Sequence, residues 1–366
     1  MSLSTLWGEL VVIMFTKIKN FFKNYWIFIL LAAVVVILGA IKLTQPKVKG
    51  PTPAPLILPP FSPPQIMGDP LPSDTKISIE KFNFPSKMKT YQGEPNKISS
   101  DKAKEIASSL GFTNPPQISE DVFQGKFHSW STTENFLSIG LDSSRISYGK
   151  NLRLHPPPTT ESLPPFSEAQ EIFNNFIKKV KVDLPQDYRF QNPKFLAKKG
   201  TLLKETTLDQ ADFIQAGINL AIDGYQILSQ DPDTPSAYVL IGKDKNVYRF
   251  EYFVPLLSFS AKDSYQIKSL EEIKSSIISE AKIVSYKTEE ENYVIQGLSG
   301  VNLNEISLVF FEPISKENLV IQPIFVLAGK GISPDGNVVE LKAYLPAVSF
   351  GKFTPLSPTP ESKFKL

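Results

Sequence analysis

The chain of 366 residues carries 39 lysines and arginines against 37 acidic residues, a net charge of +2. So even a balance gives no footing for a nucleic-acid partner. The absence of cysteine excludes disulfides, thiolate nucleophiles and cysteine metal sites, while a hydrophobic fraction of 42% is that of a folded protein.

Residues 1–24 form a short basic end with Lys17, Lys19 and Lys23, and Met14 is a second candidate start. From Asn24 to Ile41 no side chain is charged. As a helix, Tyr25–Ile41 reaches about 26 Å at 1.5 Å per residue, close to the ~30 Å of a hydrocarbon core. Tyr25 and Trp26 suit an interface, and Lys42 can reach the headgroups. The pattern predicts a single-pass transmembrane signal anchor over 25–44. The lipid bilayer is then one partner, the basic end is cytoplasmic, and the C-terminal region is extracytoplasmic. A stalk follows over 45–74, where residues 46–72 hold ten prolines, a composition that favours extended polyproline structure. A second proline-rich stretch, 155–166, divides the remainder, and 351–366 reads as a disordered tail.

Three helices are predicted behind the stalk. The first is capped by Ser99 or Ser100 and runs to Gly111, with Ala103, Ile106, Ala107 and Leu110 as its apolar stripe. The second opens on a capping box of Ser167 and Gln170 and repeats Ala169, Ile172, Phe173, Phe176, Ile177 and Val180. The third has the box Ser269–Glu272 and turns Leu270, Ile273, Ile277 and Ala281 inward. Alternating runs follow each helix. They include Asn135–Leu141, then Tyr238–Ile241 and Val247–Val254 as a hairpin, and long apolar strands around residues 306–311 and 319–329. Ser333-Pro334-Asp335-Gly336 suits a type I turn. The expected fold class is α+β: the N-terminal transmembrane helix, then two or three helix-plus-antiparallel-sheet modules over 75–154, 167–262 and 263–350.

The stretch ISSDKAKEIASSLGF followed by FLSIGLDSSRISYG resembles the PepSY module. The longer series AIDGYQIL, AYVLIGKDKNVYRFEY, YQIKSLEEI, SLVFFEP and LVIQPIFVLAGKG resembles the bacterial YycH and YycI regulatory proteins over residues 95–348. That resemblance implies one amino-terminal membrane helix, an exported α+β region, and regulation through protein contacts with no catalytic residues to carry over.

No catalytic set emerges from the residues themselves. His128 and His155 are the only histidines, and neither sits in a zinc motif. Gly297-Leu298-Ser299-Gly300 falls short of a nucleophile elbow because Val301 replaces the last glycine. Ser73–Lys76 and Ser99–Lys102 match Ser-x-x-Lys without companion motifs. Asp231-Pro232-Asp233 lacks the rest of a calcium loop, and Glu289-Glu290-Glu291 reads as a solvated acidic face. The aromatics Tyr248–Tyr252 and Phe310-Phe311 read as core before contact surface. The expectation is therefore a membrane-tethered, non-catalytic binding or regulatory protein with no metal, no cofactor and an envelope or membrane protein as partner. The alternatives are a serine-dependent envelope hydrolase built on Ser299 and a structural wall-attachment protein.

Overall fold

In the computed structural model, residues 62–121, 125–158, 161–200, 202–288, 297–312 and 319–349 are described. All of them fall within the compact unit Ile57–Leu366. Two short strands, β1 (Asp69–Pro70) and β2 (Lys76–Ile77), precede the long strand β3 (Lys87–Pro95). Helix α1 (Ser100–Ser109) leads into the meander β4 (Gln117–Asp121), β5 (Gly125–Ser131), β6 (Asn135–Gly140) and β7 (Arg145–Lys150). Helix α2 (Phe166–Val180) is followed by β8 (Tyr188–Phe190), β9 (Lys194–Lys199), β10 (Leu202–Glu205) and β11 (Phe213–Ile222). Then come β12 (Tyr225–Leu228), β13 (Ala237–Gly242), β14 (Val247–Phe253) and β15 (Leu256–Gln266). Helix α3 (Leu270–Glu280) precedes β16 (Lys282–Lys287), β17 (Ser299–Phe311), β18 (Val320–Ile332) and β19 (Val338–Pro346).

The helices form where the apolar spacing places them. Ser99 caps α1 by accepting from the Lys102 N–H at 3.1 Å, and Ala103, Ile106 and Ala107 are buried. The α3 box is complete, with Glu272 accepting from the Ser269 N–H at 2.7 Å. The α2 box is not. That helix starts two residues early, with Pro165 at its cap and no side-chain cap bond, because the extended backbone of Pro165 already presents the first turn. Its stripe still buries Ala169, Phe173, Phe176, Ile177 and Val180. Each fully buried large apolar side chain contributes about 1.5–3 kcal/mol.

The expected series of two or three helix-plus-sheet modules is overturned. Strands dominate, and the described strands join into one 19-stranded hydrogen-bonded network. β14 pairs along β7, with Glu251 opposite Ser147, across the supposed boundary at 155–166. β12 pairs with β17, and β3 pairs with both β15 and β18. The physical reason is that a module ending in an edge strand leaves a row of unmet backbone groups. Here the neighbouring strands meet them. β11 is buried on both faces from Ala216 to Ile222, as only an interior strand can be.

Two layers can be distinguished within the network. The first sheet runs β4-β5-β6-β7-β14-β13-β11, with β8 and β9 both against β11, all antiparallel. Helices α1 and α2 lie on one of its faces, α2 against β11 and β13. The second sheet runs β1-β16-β19-β18-β17, with β12 and β2 parallel to β17 on its far side. The predicted turn at Ser333 closes β18 onto β19, the Gly336 N–H donating to the Ser333 carbonyl at 2.9 Å.

Among the described residues no helix is long and apolar enough to cross a membrane. The span and signal anchor expected at 25–44 fall outside the described residues, as do the basic end and the tail.

Candidate functional site

Paired residues on neighbouring strands share a sheet face, so register assigns each side chain of the first sheet. Leu137, Tyr148, Phe250, Val239 and Ala216 form a row beneath the helices, and all are buried. The aromatic stripe of β14 is therefore core: Tyr248, Phe250 and Tyr252 are buried, as are Phe310 and Phe311 of β17.

The alternate residues build the other face, on which no described helix packs. One row is Phe136, Gly149, Arg249, Leu240 and Gln215; the next is Ser138, Ser147, Glu251, Tyr238 and Gly217. Arg145 pairs with Phe253 at the end. Phe136 is 44% exposed, and Phe253, at the end of β14, is 39% exposed. Gly149 makes room for the Phe136 ring, since a Cβ there would meet its atoms at 2.4 Å. The Glu251 carboxylate accepts from Arg249 Nε and from Ser147 Oγ, both at 2.8 Å. Burial raises the Tyr238 phenol above its ordinary pKa, with the arginines opposing and Glu251 adding to the shift. Where β6, β7, β13 and β14 meet, the face thus offers aromatics and two arginines around one fixed carboxylate.

A second feature is a cleft beside β17, β18 and β19, closed on its other side by residues of the first sheet. A concavity of about 440 Å³ is lined by Asn192, Asn219, Gln226, Ser307, Ala328 and Lys342, among others. It adjoins one of about 350 Å³ through Glu305, Ala328 and Lys342. The loop after β12 forms one wall. Asp231 shapes it, accepting from the Asp233 N–H at 2.9 Å and from Thr234 Oγ1 at 2.6 Å. Asp233 fastens it to the second sheet, accepting from Lys342 Nζ and Ser285 Oγ at 2.5 Å each. Lys194 Nζ of the first sheet donates to the Asp233 carbonyl at 3.0 Å. Burial pushes the Asp233 carboxyl up, yet the hydrogen bonds from Lys342 and Ser285 and the nearby lysines hold it below the ordinary range. The Asp-Pro-Asp stretch is a turn, and one that joins two sheets.

The other sequence candidates lie apart. His128 is buried on β5 at 4% exposure, edge-on to Trp130 with ring centroids at 5.9 Å, and its Nδ1 has no partner. His155 lies 3.9 Å from Glu134. Among the described residues no group of His, Asp and Glu is arranged to hold a metal ion. Ser299 opens β17, exposed, its Oγ donating to the Ile332 carbonyl at 3.4 Å. Ser73 lies in an exposed turn and Ser99 is a helix cap. Residues 289–291 are outside the described residues.

No family model matches the chain, and no curated protein matches it.

Proposed function

We propose that the protein is a non-catalytic binding protein that engages a protein partner through the helix-free face of the first sheet where β6, β7 and β14 carry it. The observation that carries this is the half-exposed pair Phe136 and Phe253 set among Arg145, Arg249 and Tyr238 on a face without a helix. Aromatic residues and arginine are the types enriched at protein contacts. Two arginines against one already paired carboxylate favour a partner that presents acidic side chains. The resemblance of residues 95–348 to regulators that act by contact supports the same role.

The test is a photo-crosslinking side chain at Phe253, activated in cells. A single defined protein adduct, lost in Arg249→Glu and in Phe136→Ala, is the expected result. A crosslinker at Lys178, on the exposed side of α2, serves as control. The same products from both positions, or the chain recovered alone, overturn the assignment.

A further inference from the structure

The second sheet has an interrupted edge beside the cleft. β2 and β12 both run parallel to β17, β2 pairing at Asn302 and Leu303 and β12 at Phe310 and Phe311. Between them, the edge of β17 from Asn304 to Val309 has no strand partner among the described residues. At one end the Ser78 N–H donates to the Leu303 carbonyl at 2.8 Å; at the other, the Glu312 N–H donates to the Leu228 carbonyl at 2.9 Å. Beyond Ser78 the chain leaves this edge and stacks Phe82 and Phe84 on Phe325.

Alternation along β17, shifted by one residue at the irregularity between Leu303 and Glu305, turns the N–H and C=O groups of Ile306 and Leu308 toward the open edge. The gap is about 20 Å long at ~3.3 Å per residue. The concavity beside it is lined from the other side by four neutral amides, Gln191, Asn192, Asn219 and Gln226. Each offers a donor and an acceptor together, the complement of a peptide unit. Asn219 is held there by β11, and it is almost fully buried.

We propose that this cleft takes an extended peptide segment of a partner, which adds to β17 as a strand between β2 and β12. The segment completes the hydrogen bonding of Ile306 and Leu308, and the amides hold its far side. Alternate side chains of the segment enter the concavity. Main-chain pairing then supplies affinity and the concavity supplies selectivity. This site is separate from the aromatic face and stands or falls without it.

A displayed library of random peptides about twelve residues long, roughly twice the gap, is selected on the full chain and counter-selected on Ala328→Trp, whose indole fills the cleft. Enriched peptides are expected to bind the unaltered protein at least about tenfold more tightly than Ala328→Trp. Their binding slows amide exchange at Ile306 and Leu308. Ile306→Pro, which removes an edge N–H that β18 does not use, weakens them by about tenfold as well. Arg249→Glu leaves them unaffected. Failure to enrich any sequence over Ala328→Trp, or binding that leaves exchange at Ile306 and Leu308 unchanged, overturns the proposal.

Discussion

Glu312 follows β17 directly and is buried, and that burial pushes its carboxyl up from 4.5 to about 8. The folded chain therefore holds a proton that the unfolded chain releases between those values. Its contribution is fully present below the unfolded value and is lost as pH rises through the folded one, at about 1.4 kcal/mol per pH unit. Glu312→Gln, neutral throughout, should flatten the stability profile measured by urea unfolding across that window. An unaltered slope in the variant refutes the assignment. Asp233 works in the opposite sense. Its folded pKa is depressed, so its contribution is present above the unfolded carboxylate range and lost as pH falls through the folded value. More than a third of the Asp233–Lys342 pair is open to solvent, so screening limits it. Asp233→Asn should cost roughly 1 kcal/mol near neutrality, and the difference should close in acid. A cycle with Lys342→Met measures the coupling directly.

At the scale of elements, the two capping boxes read from sequence separate cleanly. Ser269→Ala should destabilise the fold by about 1 kcal/mol, while Ser167→Ala, two positions too far into α2 to cap it, should change stability by no more than a few tenths of a kcal/mol. Equal losses in the two variants contradict the cap geometry. The helices were legible because their stripes repeat at three- and four-residue steps over two turns or more, as with Ala169 to Val180. The hairpin of β13 and β14 was legible from the alternation of Tyr248, Phe250 and Tyr252 with Arg249 and Glu251. β15 was not, because most of its side chains are exposed and its order comes from pairing with β3, far away in sequence. The candidate surfaces were hidden for the same reason. Phe136, Arg145, Tyr238, Arg249 and Phe253 come from four strands, and only register brings them together. The amides of the cleft span Gln191 to Gln226 and face residues beyond Glu305.

Across the whole molecule, pairing between distant segments replaces module boundaries. Tyr91 of β3 donates to Asp223 in the turn after β11 at 2.5 Å, while its ring sits edge-on to Phe310 of β17 at 5.3 Å. One side chain of β3 thus touches two distant parts of the sequence. Lys268, buried before α3, donates to Glu280 at 2.5 Å and to the Pro346 carbonyl at 2.9 Å, tying that helix to the end of β19. Unfolding of residues 62–349 should follow one transition, with secondary and tertiary signals coincident in the same denaturant titration. Separate transitions would show that the helix-bearing halves are independent after all.

The partners of β1, β2 and β3 are β16, β17, β15 and β18. During synthesis the first strands to leave the ribosome therefore wait for the last before they can dock. Loop closure over such separations is slow, and the waiting strand Lys87–Pro95 carries Met88 and Tyr91, side chains destined for the interior. The nascent chain consequently passes through an interval in which this strand is open to misassociation. Until β15 and β18 follow, that strand has no sheet to join.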